Sequence, residues 1–171
     1  RTSSAASDVY KRQYNMFCCN GILFNHESPR RGFEFVTRKT THSVARIKYG
    51  LQKDLKLGNI DAKRDWGHAS DYVEAMWLML NNKKPKDYVI STGKHYSVRD
   101  FAKLAFKLVN LDYKKFIKTD KKFYRPSDVE TLLGDCKKAK KELKWKPKYN
   151  FHQLVEDMVK ADLDFVKKEG Y

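Results

Sequence analysis

The sequence is poor in cysteine, with only three in 171 residues, and no two of them form a Cys-x-x-Cys pair. Cys18 and Cys19 are adjacent within an apolar stretch, where a thiol behaves as a small hydrophobic side chain. This usage excludes a disulfide-rich scaffold and is typical of a reducing compartment, so we expect a cytoplasmic protein. The five histidines are too widely spaced for a metal-ligand pattern, and we therefore predict no metal site.

Two further features are missing from the sequence. No apolar run is long enough to span a bilayer, and the first residues lack the hydrophobic segment of a secretory signal, so we expect no membrane partner. The chain also contains neither a G-x-G-x-x-G turn nor a P-loop, the glycine-rich turns that bind nucleotide phosphates after a strand. A nucleotide site within this chain would therefore depend on side chains of other types.

The sequence does have a large excess of positive charge, with 36 lysines and arginines against 21 aspartates and glutamates. A net charge of +15 favours an anionic partner such as a nucleic acid, a membrane surface or a small phosphorylated molecule. Most of the excess consists of lysines between residues 114 and 148, which suit a solvated surface. Because arginine offers phosphate a planar fork of donors, the sparse arginines are the better functional lead. A basic nucleic-acid-binding module is the alternative interpretation.

Apolar runs alternate with helical patterns from Tyr14 onward, which predicts an α/β fold. Residues 1–13 are polar and aperiodic, so we interpret them as a non-native or disordered tail, and residues 14–171 as the folded portion. The run MFCCNGILF, residues 16–24, predicts a strand buried on both faces of a parallel sheet. Residues 55–57 and 87–92 predict further strands.

Helices are predicted at residues 35–48 and 71–80, and two more begin at capping residues. Ser97 and Asp100 have the spacing of a capping box, and Asn150 is typical of the residue that precedes a final helix. The strands are too few for a complete doubly wound sheet. The apolar residues over 71–80 predict an inward face made of Tyr72, Met76, Trp77 and Leu80.

Three polar clusters each follow an apolar element: NHESPRRG at residues 25–32, DAKRDWGH at 61–68 and YRPSDVE at 124–130. Loops at the carboxyl ends of parallel strands meet at the ligand crevice of such a sheet. Each cluster contains arginine, whose forked donors suit phosphate oxygens, so together they predict a nucleotide-linked substrate. The alternative is that each arginine pairs with a carboxylate of its own cluster, namely Glu27, Asp65 or Glu130.

The motifs NGILFNHESPRRG, LGNIDAKRDWGHASDYVEAMWLML and FYRPSDVETLLGDC closely resemble the GDP-mannose 4,6-dehydratase family of extended short-chain dehydrogenases/reductases. The resemblance runs from Tyr14 to about Lys168. It implies the C-terminal part of an NAD(P)-binding, Rossmann-like fold together with its mixed α/β substrate-binding subdomain. It also implies a homo-oligomer that converts GDP-mannose to GDP-4-dehydro-6-deoxy-D-mannose with tightly bound NADP. Another nucleotide-sugar epimerase or dehydratase of the same fold is the nearest alternative.

The resemblance implies roles for individual residues in two groups. His26 and Arg31 match positions that contact NADP. The second group matches positions that bind the sugar nucleotide: Asn25 near the sugar, Val36 and Lys39 over the guanine and its ribose, Arg64 and Arg125 on the diphosphate, and Asp128 on the ribose. The family is expected to carry glutamate at the last of these positions, so the shorter aspartate predicts a looser or water-mediated contact.

The catalytic residues of the family are missing from this chain. Its glycine-rich turn, its Thr/Glu pair and its Tyr-x-x-x-Lys dyad all precede the matched region. Tyr49 and Lys53 have the spacing of the dyad, but Gly50 lies between them where a helix is predicted to end. We therefore expect no catalytic residue here, no turnover by this chain alone, and exposed apolar surface along residues 16–24.

Overall fold

The computed structural model describes residues 3–124 and 129–169. Over this part of the chain, seven α-helices alternate with eight short strands. The helices are α1 (Ser3–Tyr14), α2 (Val36–Lys48), α3 (Ala69–Leu80), α4 (Val98–Leu108), α5 (Tyr113–Phe116), α6 (Lys137–Leu143) and α7 (Phe151–Glu169). The strands are β1 (Gly21–Leu23), β2 (Asn25–Glu27), β3 (Leu55–Leu57), β4 (Lys63–Arg64), β5 (Trp66–His68), β6 (Tyr88–Ile90), β7 (Tyr96–Ser97) and β8 (Ile117–Thr119).

The strands pair two by two. β1 pairs with β6, β2 with β5 and β3 with β8, all in parallel, and β4 pairs with β7 in the antiparallel sense. A helix lies between the two strands of each parallel pair along the chain, as parallel pairing requires. The predicted α/β class is therefore confirmed. Because β2 directly continues β1 beyond Phe24, its last residue, Glu27, is delivered beside His68 at the end of β5.

The larger apolar core lies between α2, α4, α7 and β3, and we call it the helical core. Val44, Phe101, Phe106 and Met158 come from three different helices and are at most 1% exposed. Their helices match the predicted stripes, because apolar residues spaced by three and four fall on one helix face. The helical core holds the amino-terminal end of α2 in place beside the end of β2.

The predicted capping box at the start of α4 is confirmed. The Ser97 hydroxyl oxygen accepts a hydrogen bond from the Asp100 backbone N–H at 3.0 Å, and an Asp100 carboxylate oxygen accepts from the Ser97 N–H at 3.0 Å. At the start of α7, Asn150 and Gln153 form the equivalent reciprocal pair, each bond 2.9 Å long. These local bonds satisfy helix N–H groups that have no partner within the helix.

The smaller apolar core lies between α3, β6 and α6, and we call it the sheet core. Tyr72, Ala75 and Met79 of α3 are at most 3% exposed within it. The Trp145 indole N–H donates to the backbone carbonyl of Asp71 at 2.8 Å, which fastens the segment after α6 to the first turn of α3. This contact decides which face of α3 is turned inward.

The inward face predicted for α3 is right for Tyr72 and wrong for the other three residues. Met76 is 38% exposed, Trp77 62% and Leu80 60%. Helix α3 carries two apolar stripes, and α6 and β6 cover only the stripe that contains Tyr72. Periodicity identifies both stripes but cannot say which one has a neighbour.

The amino-terminal segment consists of a helix and a short strand. Residues 3–14 form α1, where the sequence indicates a tail, and the Lys11 ammonium lies 3.3 Å from the Asp87 carboxylate beside β6. Within residues 16–24 only β1 is a strand, and Ile22 is 58% exposed. Burial on both faces is therefore wrong for the described β1, in which Gly21 and Ile22 are exposed and Leu23 is half-buried. None of the described helices is long and apolar enough to cross a membrane.

Candidate functional site

A cleft of about 460 Å³ lies between the end of β2, the start of α2, the turn after β3 and the 3-10 helix that follows β8. We call it the main cleft. Five of the predicted ligand-binding residues line it: Asn25, Arg31, Val36, Lys39 and Arg64. They come from two separate stretches of the sequence, residues 25–39 and β4, which the fold brings to one place.

A second cavity of about 330 Å³ adjoins the main cleft. It is lined by Leu23, Phe24, Leu132 and His26, and it shares Asn25 and Arg31 with the main cleft. We call it the side cavity. The two residues in common place Arg31 at the junction of two spaces that could be filled by two different ligands.

His26 is held by its neighbours rather than by a capping interaction. Its ring stacks on Tyr72 with the centroids 5.1 Å apart, and its Nδ1 lies 2.9 Å from the Phe24 carbonyl oxygen, to which it donates in the neutral form. That tautomer leaves Nε2 as an acceptor. The structure thus places His26 in the side cavity beside Asn25 and outside the lining of the main cleft.

Arg31 lies against a carboxylate and an aromatic ring. Its Nε is 3.2 Å from Oε2 of Glu27, and the guanidinium carbon is 3.6 Å from the centre of the Phe35 ring. This geometry confirms the alternative interpretation for one arginine, since Arg31 does pair with Glu27. Arg31 nevertheless remains part of the cleft lining. Glu27 lies at the floor of the main cleft, and the Arg31 side chain lines both cavities.

Glu27 is the most buried acidic group of the site, with 2% of its surface exposed. The Thr37 hydroxyl donates to its Oε2 at 2.6 Å. Burial raises the pKa of Glu27 above its ordinary value, against the lowering effects of the Thr37 hydrogen bond and of the Arg31 and His26 charges. Sequence reasoning missed Glu27 and Thr37 as site residues, although both flank residues that it identified.

Arg64 joins β4 to the end of the third polar cluster. One of its terminal nitrogens donates to the carbonyl of Lys63 at 2.8 Å and to the carbonyl of Val129 at 2.6 Å. Its neighbour Asp65 accepts from the Thr92 hydroxyl at 2.6 Å and from backbone N–H groups of residues 92, 93 and 134. The Asp65 carboxylate therefore ties three loops together.

Lys39 extends along the rim of the main cleft. Its ammonium donates to the Lys56 carbonyl at 2.8 Å and lies 3.9 Å from the centre of the Phe123 ring. Burial lowers the pKa of Lys39. Phe123 and Tyr124 complete the wall on this side, and sequence reasoning missed them. The sequence does contain a sign of them, because two aromatic residues directly precede the Arg-Pro element. Their rings offer a surface on which a nucleotide base could stack.

Arg125 and Asp128 lie outside the described residues. Tyr124 lines the main cleft on one side of them, and on the other side the Val129 carbonyl accepts from Arg64. Their roles stay predictions. The described lining is positive in balance, because Arg31, Lys39, Arg64 and Lys122 outnumber Glu27 and Glu34. Such a lining suits a diphosphate.

Two further predictions concern chemistry outside the cleft. Helix α2 ends at Lys48, and Gly50 follows with φ of 75°, so Tyr49 and Lys53 do not share a helix face as a Tyr-x-x-x-Lys dyad would. Within residues 3–124 and 129–169, no three histidine, cysteine or acidic side chains are grouped closely enough to hold a metal ion.

A family model described as GDP-mannose 4,6 dehydratase matches residues 2–158. The matched region contains both cavities. It also begins inside residues 1–13, which the sequence pattern sets apart as a tail.

Curated relatives match over most of the chain. GDP-mannose 4,6 dehydratase 1 of Arabidopsis thaliana is 54% identical over 160 residues, which cover 94% of this chain and 44% of the relative. The Homo sapiens GDP-mannose 4,6 dehydratase is 49% identical over 175 residues, covering 92% and 47%. The Vibrio cholerae enzyme is 45% identical over 195 residues, covering 95% and 52%. The chain thus spans about half the length of the curated relatives it matches.

Solved structures share the fold at lower identity. The structure of RMD from Pseudomonas aeruginosa complexed with NADPH superposes with a TM-score of 0.85 at 19% identity, covering 95% of this chain and 53% of that one. A dTDP-glucose 4,6-dehydratase from Bacillus anthracis in complex with NAD gives a TM-score of 0.79 at 21% identity, covering 98% and 50%. The predicted extended short-chain dehydrogenase/reductase fold is confirmed. On the family-model match and the identity to these relatives, the chain belongs to the GDP-mannose 4,6-dehydratase family.

Proposed function

We propose that this chain is the sugar-nucleotide-binding, C-terminal portion of a GDP-mannose 4,6-dehydratase, a lyase that converts GDP-mannose to GDP-4-dehydro-6-deoxy-D-mannose. The observation that carries the proposal is the main cleft, where Arg31 just before α2 and Lys39 in its first turn meet Arg64 of β4 in a chain of this family. Several relatives bear the name of this enzyme.

The lining of the main cleft suits GDP-mannose. Arg64 supplies positive charge for the diphosphate, and a charge-assisted hydrogen bond of this kind contributes about 1.5–3 kcal/mol. Lys39 lies over the Phe123 ring, on the side expected to hold the guanine and its ribose. Phe123 and Tyr124 offer flat apolar faces to a base. Asn25, at the junction with the side cavity, presents an amide that both donates to and accepts from sugar hydroxyls. The sugar would then lie between the two cavities.

The side cavity fits part of an NADP molecule. It combines the apolar Leu23, Phe24 and Leu132 with an imidazole, and the buried Nε of Arg31 at its edge has no hydrogen-bond partner among the described residues. When bound, NADP supplies a hydride acceptor and donor for an internal oxidation and reduction of the sugar. The residues of this chain would bind and orient the two ligands, with His26 and Arg31 on the cofactor side.

We further propose that the catalytic acid and base and the glycine-rich turn that binds the cofactor phosphates belong to the other half of the full-length protein. This chain alone would then not convert the substrate. A homo-oligomer, either a dimer or a tetramer, and a cytoplasmic location complete the proposal. The three cysteines are all free, which suits a reducing compartment. Arg30 is exposed beside the main cleft, where a neighbouring subunit could reach it.

The test is a full-length enzyme in which this chain follows the amino-terminal half of the Arabidopsis relative. Calorimetric titration with GDP-mannose should show binding that GDP competes for, and NADP should support turnover. Arg64→Ala should weaken GDP-mannose binding about tenfold or more, because it removes a charge-assisted contact to the diphosphate.

Arg99→Ala is the matched control, since Arg99 pairs with Asp61 on the surface at 2.8 Å and lines neither cavity. Equal affinity of the Arg64 and Arg99 variants would overturn the diphosphate assignment. Tight binding of DNA or RNA that GDP does not displace, with a steep salt dependence, would instead favour the nucleic-acid alternative.

A further inference from the structure

Two buried residues at the floor of the main cleft have no role in the predicted site. Glu27 is 2% exposed and Thr37 1% exposed, and both line the cleft. We propose that Glu27, held by Thr37, is a positioning residue that fixes the Arg31 guanidinium at the junction of the two cavities, where it binds a phosphate group of the nucleotide ligand. The inference rests on the proposed function, because it presumes a phosphorylated ligand at that junction.

The contacts of the Arg31 side chain leave it one orientation. Glu27 Oε2 lies 3.2 Å from Nε on one side, and the Phe35 ring lies 3.6 Å from the guanidinium carbon on another. Among the described residues no group accepts a hydrogen bond from Nε. Because the protein contacts the inner part of the guanidinium, its donors are available to a ligand that enters from either cavity.

Thr37 fixes the carboxylate in turn. Its hydroxyl donates to Oε2 of Glu27 at 2.6 Å, and this is the same oxygen that faces Arg31. Thr37 belongs to the first turn of α2, which the helical core holds rigidly, so the chain of contacts runs from a fixed helix through the carboxylate to the arginine. A short β-branched residue with few rotamers is well suited to this task.

The backbone of the same loop is fixed independently. Arg38 donates from one terminal nitrogen to the Arg31 carbonyl at 3.4 Å, and its Nε donates to Asp162 of α7 at 2.8 Å. Loss of the Glu27 carboxylate would therefore leave the loop in place and free only the side chain of Arg31. This separation allows a positioning role to be distinguished from a structural one.

The ion pair is poorly placed to stabilise the ligand-free fold. Burial raises the pKa of Glu27 and outweighs the lowering effects of Thr37, Arg31 and His26. Removing one partner of an ion pair is costly when the other charge stays buried, but the Arg31 side chain is 23% exposed, so water can solvate its guanidinium once Glu27 is neutral. Glu27→Gln should therefore leave the thermal unfolding midpoint unchanged or raise it, while it releases the guanidinium.

The experiment is a double-mutant cycle of Glu27→Gln and Arg31→Ala in the full-length enzyme, with the affinities of GDP-mannose and of NADP measured separately by calorimetry. Glu27→Gln should lower the affinity for the ligand that Arg31 binds about tenfold. In the Arg31→Ala background the same substitution should not change that affinity further. The ligand that loses affinity in both single variants identifies which phosphate occupies the junction. Thr37→Val, which removes the hydroxyl, should cause part of the same loss of affinity. Thr37→Ser, which keeps the hydroxyl, should retain most of the affinity.

Three results would overturn the inference. The first is an equal loss of ligand affinity from Glu27→Gln in the presence and absence of the Arg31 side chain, and the second is a fall in the unfolding midpoint in proportion to the lost affinity. The third is a fall in kcat at unchanged affinity. The last would make Glu27 an acid or base in the reaction itself. If the unmodified enzyme binds another nucleotide sugar in place of GDP-mannose, the proposed function is wrong. The same cycle with that nucleotide then still decides the positioning role.

Discussion

The two apolar cores of this chain obey the same local rules and end in different states. In the helical core, α2, α4 and α7 enclose one another, so the apolar stripe of each helix is covered. In the sheet core, α3 is covered on one side only, and its second stripe of Val73, Met76, Trp77 and Leu80 is 38–62% exposed. The difference teaches that a stripe is buried only where the chain provides a neighbour for it.

The open region, by which we mean the sheet core with the exposed stripe of α3, continues through the segment before β1 and into β1. Met16, Phe17 and Ile22 are 43–58% exposed, in line with the exposed apolar surface expected along residues 16–24. The matched region covers less than half of the Arabidopsis and human relatives, which are about twice as long as this chain. The site lies at the boundary between the two regions, with α2 from the closed one and β1 and β2 from the open one.

The largest effect on the free energy of unfolding is expected in the closed region, by which we mean the helical core. Phe101→Ala removes a ring that is 1% exposed and packed edge-on against Trp66 at 5.4 Å. Urea unfolding should show a loss of about 3–5 kcal/mol, since neighbouring helices cannot collapse into the cavity. A loss below about 1 kcal/mol would show that the helical core is not closed.

A charge inside the closed region should matter nearly as much. Asp162 is fully buried and accepts from Arg38 at 2.8 Å and from the Thr41 hydroxyl at 2.5 Å. Asp162→Ala leaves the Arg38 guanidinium buried without its carboxylate, so we expect a loss of about 3 kcal/mol in chemical denaturation. Asp162→Asn is the control of equal shape, and it should cost less because the amide oxygen still accepts a hydrogen bond. Equal stability of the alanine variant and the parent would contradict this account.

The capping box of α4 should show a smaller effect with a defined pH dependence. Burial acts to raise the pKa of Asp100, but the two hydrogen bonds from Ser97 outweigh it and the pKa is lowered. A lowered folded-state pKa stabilises the fold above the ordinary value of 3.8, and that contribution is lost as the pH falls through the folded pKa. Ser97→Ala should cost about 1 kcal/mol at pH 7 and less below about pH 4, as measured by denaturation at a series of pH values.

The smallest effect on stability is expected in the open region. Trp77→Ser replaces an aromatic ring that is 62% exposed, so the free energy of unfolding should change by less than about 0.5 kcal/mol. Light scattering should nevertheless show less self-association of the 171-residue chain, because an exposed apolar patch is removed. A stability loss comparable to that of Phe101→Ala would mean that the α3 stripe is covered in solution.

Much of the fold and the site follows from local sequence. Residues 55–57 form a strand as predicted, the capping box at Ser97 is present, and α2 begins at Val36 within one residue of the predicted start. These features depend on neighbours within one or two helical turns, which short-range patterns report. The resemblance of the motifs likewise identified residues that the fold gathers in the main cleft, among them Lys39 and Arg64.

Other features were decided only by tertiary structure. Which stripe of α3 is buried depends on α6, more than fifty residues further along the chain. The junction at Arg31 depends on how β2 lies against α2, and the roles of Thr37 and Phe123 appear only when distant segments meet. The physical reason is that spacing along a chain encodes which residues share a face, whereas contact between segments depends on how the whole chain packs.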